Sequence, residues 1–147
     1  MNHVHPLSRT DFRITTAVIP VAGAGTRVFP MTTAVEKCMM PVYIGSESRP
    51  LVDFMVDDCA KAGITRIIFV TSERGKQQLQ DYYGDMNEHL RNQLLALGKD
   101  SLIAAEEARR RSRGLSFEYI IQPPGTYGTT VPLALAQDSL KDEAHFV

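Results

Sequence analysis

Two glycines and two cations near the start of the chain have the types and spacing of a phosphate-binding site. An apolar run over residues 17–21 ends in a turn that contains Gly23 and Gly25. Neither glycine has a side chain to keep a phosphate away from the backbone N–H groups. Arg27 presents a planar fork of donors that matches phosphate oxygens, and Lys37 supplies a second positive charge ten residues later. This spacing predicts a polyanion site directly after a strand.

The charge of the ligand decides how many cations the site needs. A nucleoside triphosphate carries roughly four negative charges, whereas a helix N-terminus offers only about half a positive charge. Backbone amides alone therefore cannot balance such a ligand. We expect Arg27, Lys37 and a divalent cation, Mg²⁺, to share the charge.

Other phosphate motifs fit the turn less well. A Walker loop has four residues between its glycines, whereas only Ala24 stands between them here. The dinucleotide fingerprint requires a third glycine at position 28, where the chain has Val28. The glycine pair alone indicates no more than a strand-to-helix turn. Together with Thr26, Pro30 and Pro41, as well as the two cations, it becomes a specific signal.

Composition excludes several classes of protein. The chain has 147 residues, 44% of them apolar and 22% charged, which suits one domain with a core. A net charge of -1 argues against binding nucleic acid through bulk charge. No apolar run is long enough to span a membrane, and the polar N-terminus lacks the apolar centre of a signal peptide. We expect a cytoplasmic protein with no nucleic-acid or membrane partner.

The cysteines and the N-terminal histidines each allow two interpretations. Cys38 and Cys59 are the only cysteines, and reduced thiols are favoured over a disulfide between them. His3 and His5 have a spacing that could bind a metal, but a frayed terminus accounts for them better. We interpret residues 1–15 as a flexible N-terminus.

Apolar periodicity and turn residues predict alternating strands and helices. The expected strands cover 16–21, 66–70 and 116–121, the expected helices cover 50–62, 72–83, 86–97, 101–111 and 129–138, a long loop covers 22–49, and residues 145–147 begin another strand. This order predicts right-handed crossovers and a parallel sheet. Pro50 is expected at the first helical position and Gly63 at the stop.

Two charged clusters on these helices are expected to be structural. Asp53, Asp57 and Asp58 could be metal ligands, but a solvated helix face explains them better. The cations from Arg109 to Arg113 suit a helix C-terminus with glutamates nearby better than an anion site.

The motif around the glycine turn resembles the signature of the sugar-1-phosphate nucleotidyltransferases. Gly23-Ala-Gly-Thr-Arg27 is followed by Pro30, Lys37 and Met40-Pro41, as in that superfamily. Within it, the chain is most similar to the bacterial UTP–glucose-1-phosphate uridylyltransferases. Three further stretches, 50–64, 88–95 and 122–128, support the closer resemblance, which covers nearly the whole chain after residue 15.

The resemblance implies a fold and a set of site residues. The fold is α/β and Rossmann-like, with a mainly parallel sheet and helices on both faces. Residues 16–147 would form the N-terminal, nucleotide-binding part of a longer nucleotidyltransferase domain. The implied contacts are Ala22 and Gly23 for uridine, Gly25, Thr26 and Arg27 for the triphosphate, Lys37 for phosphate charge, and Gln122 and Gly128 for the base. Of these residues, Arg27 and Lys37 are expected to be catalytic.

The implied reaction joins UTP and glucose 1-phosphate to give UDP-glucose and pyrophosphate. Its metal and sugar ligands are expected beyond Val147, so this chain alone is expected to have little activity. An unpaired sheet edge predicts self-association, and we expect a homo-oligomer. The alternatives are a thymidylyl- or other sugar-phosphate nucleotidyltransferase, and a non-catalytic nucleotide-binding module.

Small departures from the family pattern leave the base and the sugar open. Glu36 and Cys38 flank Lys37 where many members have Pro and Glu. Tyr127 and Thr129 replace the Leu and His that commonly surround the glycine of the base-binding loop.

Overall fold

The computed structural model describes residues 13–147. The strands are β1 (Thr16–Pro20), β2 (Pro41–Ile44), β3 (Glu47–Pro50), β4 (Arg66–Thr71) and β5 (Ser116–Ile121). The helices are α1 (Leu51–Lys61), α2 (Glu73–Tyr83), α3 (Glu88–Ala96), α4 (Asp100–Arg113), α5 (Val131–Leu135) and α6 (Gln137–Leu140). Residues 1–12, with His3, His5 and most of the flexible N-terminus predicted for 1–15, lie outside the described part.

Three strands form the parallel sheet that the alternation of elements predicts. Its order is β1-β4-β5, with Arg66 of β4 in register with Thr16 on one side and with Ser116 on the other. The helix over 86–97 is confirmed as α3. The helix over 101–111 is confirmed as α4, which continues to Arg113 and stops at Gly114, whose φ is +58°.

The long loop predicted for 22–49 is wrong in part. It contains three short 3-10 helices, Thr26–Val28, Met31–Thr33 and Lys37–Met39, followed by the antiparallel hairpin of β2 and β3. A two-residue turn at Gly45 and Ser46 closes the hairpin, and the φ of Gly45 is +61°. Such a turn needs a positive φ, which glycine adopts without strain.

Helices cover both faces of the sheet. On one face, Ile67 and Phe69 of β4 pack with Val52 and Val56 of α1 and with Leu79 of α2. On the other face, the intervening residues Ile68 and Val70 pack with Ala136 and Leu140. Side chains alternate along a strand, so each helical layer meets its own set of β4 residues.

The end of the chain pairs with β1 on the side away from β4. Val18 N–H donates to the Val147 carbonyl at 2.7 Å, and Val147 N–H donates to the Thr16 carbonyl at 3.1 Å. Two such bonds flanking one residue are the pattern of a parallel pair. Residues 145–147 do not form the regular strand that the sequence predicts, but Val147 takes a strand's position. Within the sheet, β4 therefore lies on one side of β1, and Val147 lies on the opposite side.

Two helix boundaries differ from the prediction. Pro50 ends β3 and caps α1 instead of occupying its first turn, because its ψ of 144° is extended. The helix predicted for 129–138 is divided at Ala136 into α5 and α6. Ala136 is fully buried against the sheet, and we have no physical account of the break.

The apolar residues of α1 do not share one environment. Val52 and Val56 are buried in the core, whereas Leu51 and Met55 are 46% and 53% exposed. The exposed pair belongs to the cavity described below.

The interpretation of Asp53 as a residue of a solvated face is wrong. Its side chain is fully buried and accepts hydrogen bonds from Arg113 at 2.7 and 2.9 Å, Arg109 at 2.8 Å, Arg49 at 3.2 Å and the Tyr83 hydroxyl at 3.1 Å. Burial alone raises the pKa of Asp53. The hydrogen bonds and charges of Arg113 and Arg109 outweigh burial and leave that pKa below its usual value.

The rest of this cluster follows the prediction more closely. Asp58 is exposed, as expected of a solvated face. Glu106 pairs with Arg109 and Arg110, as the helix-end interpretation expects. Asp57, however, is only 23% exposed and pairs with Arg113. The cations of α4 therefore bind two carboxylates of α1, a tertiary contact that the spacing within one helix cannot show.

Candidate functional site

The site lies where the parallel strands end. Their carboxyl ends lie at one edge of the sheet, where the glycine turn follows β1, α2 follows β4 and the loop of Gln122 follows β5. Because the chain passes to both sides of β1, the glycine turn occupies the point where the strand order reverses. Open α/β sheets bind their ligands in the crevice at such a point.

Gly25 gives the glycine turn its shape. Its φ is +62°, and a Cβ placed on it would lie 2.6 Å from Thr32 Cγ2 and 3.1 Å from Lys37 Cβ. Any other residue at this position would be strained and would clash. Gly25 and Lys37 therefore lie close together in the folded chain.

Gly23 has a different role from Gly25. It has no left-handed φ, and a Cβ placed on it would meet nothing within 4 Å. The fold therefore does not require glycine at position 23. The open space beside it leaves room for a ligand to approach the backbone.

Arg27 and Lys37 keep their charges available. Both side chains are exposed, and neither forms an ion pair within residues 13–147. Each of the eight arginines between residues 49 and 113, by contrast, pairs with at least one carboxylate. The fold uses those arginines internally, whereas the charges of Arg27 and Lys37 are exposed to solvent.

An open cavity of about 520 Å³ adjoins the glycine turn. Its wall combines the end of β1, the signature segment (residues 23–41) and the first two turns of α1. The lining residues are Pro20, Val21, Gly23, Lys37, Cys38, Leu51, Val52, Phe54, Met55 and Asp58. Its volume falls within the range of small-molecule sites. Gly23 and Lys37 therefore share one cavity. The exposure of Leu51 and Met55 follows from their position on this wall.

The remaining predicted residues do not line this cavity. Ala22 is half-buried in the turn, while Thr26 and Arg27 are exposed in the first 3-10 helix. Gln122 and Gly128 follow β5, which lies two strands from β1, or roughly 10 Å at the usual strand spacing. The roles assigned to these residues remain predictions.

The side chain of Gln122 is oriented by its own loop. Its Nε2 donates to the Thr126 carbonyl at 2.7 Å, and its backbone N–H donates to the Thr71 carbonyl at 2.8 Å. The side-chain carbonyl Oε1 and the second hydrogen of Nε2 are not used by this bond. Gly128, with a φ of +130°, ends this loop in a conformation that other residues rarely adopt.

Sequence reasoning missed the residues of α2 that hold the signature segment. Ser72 Oγ donates to Glu36 Oε1 at 2.9 Å, and Glu36 N–H donates to Gln78 Oε1 at 3.0 Å. Arg74 donates to the Thr32 carbonyl at 2.8 Å. No local sequence pattern connects Glu36 to Ser72, which is 36 residues away in the chain.

Neither cysteine is suited to act as a nucleophile. Both are free thiols, as expected. Burial, with a smaller contribution from the charge of Glu36, raises the pKa of Cys38 to about 11. Burial likewise raises the pKa of Cys59. Both thiols are therefore protonated near neutral pH.

Neither a metal-binding cluster nor a membrane-spanning helix is present within the described residues. Within residues 13–147, no three His, Cys, Asp or Glu side chains come together in a way that could hold a metal ion. Over the same residues, no helix has both the length and the apolar character that crossing a bilayer requires.

A glycine turn with two exposed cations lies at the point where a parallel sheet reverses its order, which is where open α/β proteins bind their ligands. Residues 16–147 match the nucleotidyl transferase family, and the chain belongs to this family. The family resemblance that the signature residues carry is thereby confirmed.

Two relatives of the chain carry the same enzyme name. The chain is 40% identical over 112 residues to the UTP–glucose-1-phosphate uridylyltransferase of Komagataeibacter xylinus, a match covering 76% of this chain and 37% of that protein. It is 36% identical over 91 residues to the enzyme of that name from Streptococcus pyogenes, covering 62% and 28%.

A solved structure agrees with the assignment. The fold matches the UTP-bound UGPase from Acinetobacter baumannii with a TM-score of 0.72 at 29% identity, covering 87% of this chain and 42% of that one. The Rossmann-like α/β fold is confirmed. The chain spans less than half the length of these three relatives.

Proposed function

We propose that this chain provides the nucleotide-binding part of an enzyme that makes UDP-glucose and pyrophosphate from UTP and glucose 1-phosphate. The observation that carries the proposal is the contact of Gly25 with Lys37 beside the cavity at the reversal point of the sheet. The names of the relatives support the choice of substrates.

In the proposed reaction, a phosphate oxygen of glucose 1-phosphate attacks the α-phosphorus of UTP. The new oxygen–phosphorus bond forms as the bond to the β-phosphate breaks, and pyrophosphate leaves. The second pKa of a phosphate monoester is about 6, so the attacking group is already mostly ionised at neutral pH. No general base is then needed, and the protein's task is to position the substrates and stabilise charge.

The residues divide this task by position. The backbone at Ala22 and Gly23 approaches the nucleoside, and the turn at Gly25 and Thr26 places backbone N–H groups near the phosphates. Arg27 and Lys37 neutralise the charge that develops on the phosphate oxygens. Losing one such preorganised donor costs roughly 3–4 kcal/mol of transition-state stabilisation in other enzymes.

Gln122 would select the base, with Gly128 letting the backbone come close. Its Oε1 can accept a hydrogen bond, and the second hydrogen of Nε2 can donate one. Such an amide suits the edge of uracil, which carries a donor at N3 between two carbonyl acceptors. Thymine has the same edge, so the thymidylyltransferase alternative stays open.

Mg²⁺, a cytoplasmic location and a homo-oligomeric state belong to the proposal as well. The described carboxylates do not fit a metal centre, so no step is assigned to the ion, which we propose enters with the nucleotide. The free thiols suit the cytoplasm.

Calorimetry with UTP, dTTP, CTP and ATP tests the proposal on the purified chain. We expect UTP to bind, and Arg27→Ala or Lys37→Ala to weaken it roughly 10–100-fold, the effect of losing a hydrogen bond to a charged group. The matched control is Lys141→Ala, which removes an exposed cation next to α6. Unchanged UTP affinity in both variants would contradict the proposal. Equal affinity for dTTP would favour the thymidylyl alternative, and binding of all four nucleotides alike would favour a non-catalytic module.

A further inference from the structure

We propose that Glu36 is a positioning residue that holds Lys37 against the glycine turn by docking its carboxylate on the N-terminus of α2. The inference rests on the proposed function, since Lys37 matters only if the cavity binds a nucleotide.

The carboxylate of Glu36 docks on the residue that caps α2. It accepts a hydrogen bond from Ser72 Oγ at 2.9 Å, and the same Oγ accepts from Gly75 N–H at 2.9 Å, which caps the helix. Arg74 Nε lies 3.7 Å from the same carboxylate oxygen. A helix N-terminus carries partial positive charge, which favours a carboxylate placed beside it. Ser72 therefore links the start of α2 to Glu36.

The backbone around Glu36 is fixed to the same helix. Glu36 N–H donates to Gln78 Oε1 at 3.0 Å. The guanidinium of Arg74 donates to the carbonyls of Thr32 and Thr33 at 2.8 and 3.2 Å. The segment before Lys37 is therefore tied to α2 through its side chain and its main chain.

Lys37 is thus held between two anchored neighbours. Glu36 is bound to α2 on one side, and Cys38 is buried in the core on the other. Lys37 packs its Cβ against the position of Gly25 and remains exposed. Within residues 13–147 it forms no ion pair with Glu36, whose charge faces Arg74 instead. The ammonium group therefore stays available while its backbone is fixed.

A double-mutant cycle on the full chain tests whether Glu36 acts through Lys37. We expect Glu36→Ala to weaken UTP binding about tenfold, and to add almost nothing in a Lys37→Ala background, because contacting residues are coupled. Glu36→Gln keeps an acceptor for Ser72 and should recover part of the affinity. The matched control is Glu73→Ala, which removes an exposed charge from the same helix end and should leave UTP affinity unchanged.

Amide hydrogen exchange gives a second readout that needs no nucleotide. Glu36→Ala should speed exchange at residues 37–40, whereas Glu73→Ala should not. Unchanged protection there, or a loss of affinity that adds fully to that of Lys37→Ala, would overturn the inference. If Lys37→Ala alone leaves UTP affinity unchanged, this inference fails, whereas the proposed function fails only if Arg27→Ala leaves the affinity unchanged as well. Should Glu36→Ala not fold, Glu36→Gln is compared with Glu73→Gln in the same measurement.

Discussion

At the scale of single residues, the two glycines of the turn have separate tasks. Gly25 has a left-handed φ and is crowded by Thr32 and Lys37, so the backbone itself requires glycine. Gly23 has neither constraint, and its bare backbone faces the cavity. One glycine therefore serves the fold, and we propose that the other serves the ligand.

Replacing each glycine with alanine should separate these tasks. Gly25→Ala should destabilise the chain by about 1–3 kcal/mol, because a strained backbone conformation and a clash are both imposed. Gly23→Ala should leave the urea midpoint of unfolding unchanged and weaken UTP binding, because its methyl group would occupy the ligand's space. Equal loss of stability in both variants would contradict this division.

The sequence predicted Gly25 and Lys37 as residues of one site but not what holds Lys37 in place. The residue types, their order and the family resemblance were sufficient to predict the phosphate-binding segment. Glu36 docks on Ser72, which is 36 residues away in the chain, and a contact of that range leaves no local pattern. The orientation of Gln122 was not predicted either, although Thr126 is near in sequence, because the contact depends on the conformation of the loop between them.

At the scale of elements, one buried carboxylate joins α1 to α4. Asp53 receives hydrogen bonds from Arg49, Arg109 and Arg113. Asp57 forms ion pairs with Arg49 and Arg113. The sequence predicted both helices, because their apolar spacing and their stop signals are local. It misassigned Asp53, because a carboxylate on a helix is usually solvated and the three arginines come from outside that helix.

Removing the charge of Asp53 should be costly. Asp53→Asn leaves three guanidinium groups facing a neutral amide, and breaking a buried ion pair from one side costs about 3–5 kcal/mol. Urea unfolding at pH 7 measures the loss. Asp58→Asn on the same helix is the control, and its exposed side chain should give a change within about 0.5 kcal/mol.

The same variant should alter the response to acid. The folded pKa of Asp53 and of Asp57 is lowered, so their stabilisation is full above the unfolded value of about 3.9 and is lost as pH falls below it. The wild-type free energy of unfolding should therefore fall steeply below about pH 4, and that of Asp53→Asn less steeply. Parallel acid profiles for the two proteins would show that Asp53 is not the titrating group.

At the scale of the whole molecule, the sheet leaves apolar groups exposed beside β1. Val147 pairs with β1 and is 60% exposed, and neighbouring Phe146 is 40% exposed. Unpaired strand edges are templates for association between chains. We therefore expect the self-association that the sequence predicts to occur at this edge.

Sedimentation over a range of concentrations tests that prediction. The wild-type chain should associate as concentration rises, and Phe146→Lys should shift the equilibrium toward monomer by placing a charge at the edge. Leu97→Lys, at a 70% exposed position after α3, is the control and should leave the equilibrium unchanged. A wild-type chain that sediments as a monomer at every concentration would refute it.

The alternation along β4 ties the two halves of the molecule to a single strand. Ile67 and Phe69 belong to one core, while Ile68 and Val70 belong to the other. A shift of β4 by one position would exchange all four side chains between the cores at once. The register of this one strand therefore decides which side chains each helical layer meets, while a change of volume at a single position of β4 acts on one layer only.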